Sequence, residues 1–280
     1  MKTQITALAA SLASLVLVTT SARAELLFRY DFNTPETSAT LSGTAQAGAA
    51  GTGLSGAPAD KALDNTAGTM SRSGGGAYYE GAPGTLASFT VTLWFKTDGG
   101  QTMGATRLFD NGTQLLGFDG GDIASSQQLT FNSGSSKLGV WSTPLLAVSG
   151  EWIFVAISYD GNSGSDNLTF YVGTKGSEEQ PGSLSSHTVS ADHGSIDWGG
   201  SVVTLMFGAN TSNGRSLDGW IDNIRFYGSA NDATGALDSS AIAGIWTSDM
   251  TAAVPEPAVW TWLAGGLAWV ATALRRRLTR

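Results

Sequence analysis

The chain has 280 residues, a formal charge of −8 and no cysteine. With residues 1–24 and 255–280 set aside, nine basic residues face 22 acidic ones, a net charge of −13. That balance argues against nucleic acid or anionic lipid as partners, because a polyanion is repelled. Without cysteine there are no disulfides, thiolate metal ligands or cysteine nucleophiles, so the domain must stand on its apolar core.

Residues 1–24 read as a signal peptide. Lys2 gives a positive start, Ile5 to Val18 an apolar centre, and Ala22-Arg23-Ala24 a small-x-small cleavage site. The mature chain then begins at Glu25; the alternative is an uncleaved anchor helix. Beyond it glycine is abundant (37 residues in all), β-branched and aromatic residues come in short runs, and helical periodicity is nearly absent. This predicts one all-β domain over residues 25–250.

The first expected strand is Leu26 to Phe32, with Leu26, Phe28, Tyr30 and Phe32 on one face. Residues 33–60 read as a long loop or a flat, weakly specified strand region, followed by short strands near 62–63 and 77–79. Ser88 to Thr97 is the clearest strand. Its Phe89, Val91, Leu93 and Phe95 alternate with Thr90, Thr92, Trp94 and Lys96, the pattern of one buried face. Shorter strands follow at 107–109, 114–118, 128–131 and 137–141. Trp152 to Tyr159 is apolar on both faces apart from Ser158 and reads as a central strand. It turns through Asp160–Asp166 into Leu168–Val172. Residues 173–200 read mostly as loop, 202–207 and 219–227 as strands, and Leu237–Trp246 as a short helical turn with Asp238 as N-cap.

The C-terminal end changes character. Residues 251–257 form a linker containing Val254-Pro255-Glu256-Pro257, in which the prolines favour extended backbone. Ala258–Leu274 is 17 residues without a charge. As a helix it rises about 26 Å, near the minimum for a bilayer core of roughly 30 Å. Arg275, Arg276, Arg277 and Arg280 follow at once and belong on the cytoplasmic side. The expectation is a transmembrane helix over 258–274 and a basic tail over 275–280.

Catalytic patterns are missing from the sequence. A triad needs a histidine placed by an acid, and His187 and His193 both read as solvated loop residues. No Walker or dinucleotide motif occurs. Hard-oxygen clusters offer possible calcium ligands: Asp110 with Asn111, Asp119 with Asp122, and Asp160, Asn162 and Asp166. The last set fills loop positions 1, 3 and 7, but position 12 is Tyr171 rather than glutamate; solvated Asx turns are the alternative. Alternation places Trp220, Asp222, Ile224 and Phe226 on one inward face. A buried Asp222 needs a metal, backbone N–H groups, or an arginine such as Arg72 or Arg107. Trp141, Trp198, Tyr78 and Tyr79 are candidates for stacking on sugars; Trp94, Trp152, Trp220 and Trp246 are assigned to packing.

Two resemblances add to this reading. The terminal order of Val254-Pro255-Glu256-Pro257, apolar span and arginine cluster resembles the PEP-CTERM sorting signal. It implies processing near the Pro-Glu-Pro by an exosortase-type membrane protease, and delivery to the cell surface or extracellular matrix. The segments Phe89–Phe95, Trp152–Asp160, Leu168–Val172 and Gly219–Tyr227, with Ala236–Trp246, resemble a laminin-G-like (concanavalin A-like) domain. That implies a two-sheet antiparallel jelly-roll sandwich hosting lectins, adhesion modules, hydrolases or spacers. The Glu-x-Asp-x-x-Glu run of the superfamily's hydrolases is missing here. The expected role is a noncatalytic surface or matrix protein binding polysaccharide or another surface protein, with calcium as a possible cofactor. A divergent polysaccharide hydrolase or lyase and a passive spacer are the alternatives.

Overall fold

The computed structural model describes residues 24–34, 39–67, 74–81, 83–98, 106–118, 128–147, 150–176, 182–199 and 204–251. Its centre is the strand β7 (Ser88–Thr97), whose Phe89, Val91, Leu93 and Phe95 enter the space between two sheets. In spatial order the first sheet runs β14 (Leu184–Val189), β13 (Leu168–Thr174), β12 (Ile153–Asp160), β7, β17 (Gly219–Ser229), β4 (Leu63–Asp64) and β3 (Gln46–Ala47). β1 (Glu25–Tyr30) pairs with the C-terminal part of β17. The second sheet runs β11 (Ser136–Ser142), β10 (Gln128–Ser133), β9 (Gln114–Phe118), β8 (Arg107–Asp110), β16 (Thr204–Phe207), β5 (Gly75–Glu80) and β2 (Thr40–Gly43). A two-strand ribbon, β6 (Thr85–Leu86) with β15 (Ile196–Asp197), stands apart. The architecture is an all-β antiparallel sandwich of two large sheets.

Between the sheets lie the inward residues of both. Phe89, Val91 and Phe95 meet Phe118, Leu129 and Phe131 from the second sheet and Ile221, Ile224 and Phe226 from β17. Each such side chain contributes about 1.5–3 kcal/mol on full burial. The outer face of β7 is buried too, which its alternation does not announce. A 3-10 turn at Ala233–Gly235 and a helix, α1 (Ser239–Thr251), cover it. Hydroxyls fasten the turn to the sheet. Thr90 Oγ1 donates to Gly235 O and accepts from Leu237 N–H, both at 2.8 Å, and Ser158 Oγ donates to Leu237 O at 2.8 Å.

Asp238 caps α1 by accepting from Ala241 N–H at 2.8 Å. The helix outlasts the expected turn by five residues and ends at Thr251 because its second half has a docking site. Ile242, Ile245, Trp246 and Met250 pack with Trp94, Phe154 and Tyr171. Asp249 accepts from Arg225 at 2.5 and 2.8 Å and from Trp94 Nε1 at 3.0 Å.

Three expectations are corrected. In β17 the register shifts between Asp222 and Arg225, where Asn223 takes φ +50°. Ile224 and Phe226 therefore face the inter-sheet core, while Trp220 and Asp222 lie on the opposite face. A second shift between Leu26 and Phe28 breaks the first strand's alternation, leaving Leu26 47% exposed while Leu27 packs on the core. The 173–200 stretch, expected mostly as loop, also holds two strands, β14 and β15. β14 has four exposed residues in its middle and so no apolar face to read. Residues 1–23, Arg72, Asp119, Asp122, Val254–Pro257, the apolar span and Arg275–Arg277 lie outside the described residues. Among the described residues no helix is long and apolar enough to cross a membrane.

Candidate functional site

One end of the sandwich carries a polar pocket of about 340 Å³, built where the β8–β9 turn meets the segment 190–199. The turn is made by side chains. Asp110 Oδ1 accepts from Gly112 N–H at 2.6 Å, and Asn111 Oδ1 accepts from Thr113 and Gln114 N–H at 2.9 and 2.6 Å. Gly112 supplies the φ of +88° that this tight path requires. Pairing of β9 with β10 sets Gln114 opposite Ser133, and Gln114 Nε2 donates to Ser133 Oγ at 3.3 Å.

The other wall is held by Tyr159. Its hydroxyl donates to the carbonyls of His193 and Gly194, the latter at 2.8 Å. Burial, with Asp160 nearby, pushes that hydroxyl up to about 12, so it remains a donor at all physiological pH values. His193 Nε2 and Ser133 Oγ are hydrogen-bonded at 3.2 Å across the pocket. Asp197 accepts from Gly199 N–H at 2.9 Å, and Asn111 Nδ2 donates to Trp198 O at 3.4 Å.

Trp198 forms the floor. It is 1% exposed and lies edge-on to Phe89 and Phe226, with ring centroids 4.9 Å away in each case. Its face is therefore spent on the core and cannot stack on a sugar, which corrects that expectation. Among the described residues its buried Nε1–H meets no acceptor and the buried Oε1 of Gln114 meets no donor; both atoms are covered by protein. The pocket is thus lined by amide, hydroxyl and imidazole side chains.

The other expected stacking residues are not brought here. Tyr79 lies against Phe28 at 4.3 Å, so that face is occupied. Half-buried Tyr78 neighbours it on β5, and half-buried Trp141 stacks on His187 at 5.9 Å at the far edge of the same sheet. Of the residues singled out in the sequence, Asn111 and Trp198 line the pocket, in other roles. Gln114, Ser133 and Asp197 were passed over. The signals for them were two turns, Asp110-Asn-Gly-Thr-Gln114 and Asp197-Trp-Gly199.

The described oxygens do not fit calcium, which takes about six to eight oxygen ligands. Asp110 is committed to Gly112 and, through Oδ2, to Arg107 at 3.2 Å. Asp160 accepts from Asn162 N–H at 3.0 Å in an Asx turn, and Asp166 lies in an exposed turn whose backbone N–H donates to Ser190. Asp222, 0% exposed, accepts from Leu54 N–H at 2.8 Å and Asn223 N–H at 2.7 Å. That is the backbone-capping arrangement, not a metal site. Burial holds the Asp222 carboxyl well above the usual range; the two N–H bonds oppose this and nearby Asp60 adds to it. Among the described residues no three histidine, aspartate or glutamate side chains converge as metal ligands.

Residues 72–234 match the family model of the concanavalin A-like lectin/glucanases superfamily, so the chain belongs to that superfamily. Among solved structures it is similar to domain 4 of AbnA, a GH43 extracellular arabinanase from Geobacillus stearothermophilus, solved with arabinotriose. The TM-score is 0.52 at 17% identity, over 80% of this chain and 99% of that one. A seed lectin from Lotus tetragonolobus aligns with a TM-score of 0.39 at 14% identity, over 71% and 96% of the two chains. At these identities the likeness is one of fold. No curated protein sequence matches the chain.

Proposed function

We propose that the chain is an exported, noncatalytic carbohydrate-binding protein of the cell surface or extracellular matrix, with its sugar site in the pocket floored by Trp198. The observation that carries this is the pocket's lining, where Asn111, Gln114, Ser133 and His193 bring amide, hydroxyl and imidazole groups together. Such groups donate to and accept from sugar hydroxyls, which do both. Membership of a superfamily described by its lectins and glucanases is consistent with that ligand class.

Two features support binding without turnover. Asp197 is the one carboxylate among the described residues lining the pocket, whereas glycoside hydrolysis uses two. His193 meets Ser133, but no described carboxylate orients its ring. Export rests on the signal-peptide pattern of residues 1–24. Sorting rests on Val254–Pro257, the 258–274 span and the arginines, which resemble a PEP-CTERM tail cut by an exosortase-type protease. The test is a glycan array on the full chain with and without EDTA. A bound glycan, insensitive to EDTA and weakened about tenfold or more by Gln114→Leu, is expected. Cleavage of the bound glycan, or no glycan bound at all, would sink the proposal.

A further inference from the structure

On the outer face of the first sheet the strand register builds a row of alternating cations and indoles. Trp220 of β17 is paired with Lys96 of β7. Ile153 is paired with both Phe95 and Thr174, so the same registers carried one residue further align Trp152 with Lys96 and with Lys175. The Lys175 N–H bond to Trp152 O at 3.3 Å continues that ladder. The row therefore reads Lys175, Trp152, Lys96, Trp220. Its two lysines stand two strands apart, about 10 Å at the backbone. Beside it lies the glycine-rich loop of Gly51, Gly53 and Gly56, and together they line a half-open pocket of about 270 Å³.

Both ammonium groups are half-buried and held in place. Lys96 Nζ sits over the Trp220 ring, 5.1 Å from its centroid, and Lys175 Nζ donates to Leu54 O at 2.5 Å. Leu54 is itself anchored by Asp222. Among the described residues neither lysine meets a carboxylate, although acidic side chains outnumber basic ones more than twofold. The nearby acids are spent elsewhere: Asp60 on Ser55 N–H, Asp64 on Thr66, and Asp222 on Leu54 and Asn223. Two of the nine basic residues outside the terminal segments thus line one pocket, with no carboxylate partner among the described residues.

We propose that this pocket is a second binding site and takes a carboxylate-bearing sugar, a uronate residue of an acidic polysaccharide. The carboxylate meets Lys96 and Lys175 in charge-assisted hydrogen bonds. The lysine stems and the partly exposed Trp220 give the apolar surface that a sugar ring's C–H groups cover. A pocket of this small volume favours one sugar ring over an acidic peptide, whose backbone brings donors that these donor side chains cannot receive.

The experiment is calorimetry on the full chain with tetragalacturonate, its methyl ester, hexaglutamate and inorganic phosphate. Tetragalacturonate binds, and the ester, which keeps the rings and loses the charge, binds at least tenfold more weakly. Lys96→Met and Lys175→Met each weaken binding about tenfold. Lys175→Arg, which keeps both the charge and a donor for Leu54, retains it and so separates recognition from a folding defect. Gln114→Leu, in the Trp198 pocket, leaves tetragalacturonate binding unchanged. The proposal is overturned if acid and ester bind alike, if hexaglutamate or phosphate binds as tightly, if the lysine variants bind normally, or if Gln114→Leu abolishes the binding.

Discussion

Asp222 shows how one residue can be costly and still structural. Its carboxylate lies behind the loop that it anchors, with two backbone N–H donors and no cation, and burial raises its proton affinity. The sign of the pH dependence follows. In the unfolded chain the group ionises near 3.9. In the folded chain it keeps its proton to a higher pH, so over that interval the native state binds more protons. Stability from this residue is therefore full below about pH 4 and falls as pH rises toward the folded value. Asp222→Asn should remove that fall, so its melting temperature gains on the parent's between pH 4 and pH 8. Parallel pH profiles for the two proteins would show that the carboxyl is ionised in the fold.

At the scale of elements, the helix depends on an ion pair more than on its own sequence. Arg225 and Asp249 are both nearly buried, and the guanidinium is held at both of its terminal nitrogens. Asp249→Ala leaves Arg225 with only the Asn223 carbonyl, at 3.4 Å, and strands its buried charge beside an unpaired Trp94 N–H. The expected loss is about 3–5 kcal/mol in denaturant unfolding. The double change Arg225→Met with Asp249→Leu should cost less than the single one, because no charge is stranded. An Asp249→Ala protein as stable as the parent would mean that the helix does not need this dock.

The same scale explains what could be read in advance. β7, β12 and β13 were legible because Phe89 to Phe95, Ile153 to Tyr159 and Leu168 to Val172 carry apolar residues on the faces that become buried. β14 was not, because Leu-Ser-Ser-His-Thr-Val on an open edge has nothing to hide. The faces of Asp222 and Leu26 were misassigned for a different reason. Alternation assumes one residue per rung, and a bulge at Asn223 or beside Leu26 inserts an extra one without any mark in hydrophobicity. The pockets were the least legible part. Gln114, Ser133 and Asp197 are common turn and strand-end residues, and Lys96 and Lys175 lie 79 positions apart. Only strand register brings them together.

For the whole molecule, the terminal segments and the sandwich make separate demands. The proposed sorting tail begins just beyond α1, so a cut near Val254–Pro257 would release the sandwich with its helix intact. Mass spectrometry of the extracellular protein should find a C-terminus in that stretch. An intact Arg280 on the extracellular form would leave the tail as a plain anchor.

The pairing of β1 with β17 has a consequence for biogenesis. Glu25 finds its neighbour at Gly228, about 200 residues later, and Ser88 of β7 waits for Ser229. Closing the first sheet thus requires nearly the entire polypeptide, a slow topology for a chain emerging end first. During that delay the nascent chain is an open polymer, exposed to self-association. A surplus of like charge keeps such chains apart, and the lack of thiols spares them from wrong cross-links while they wait for the last strand.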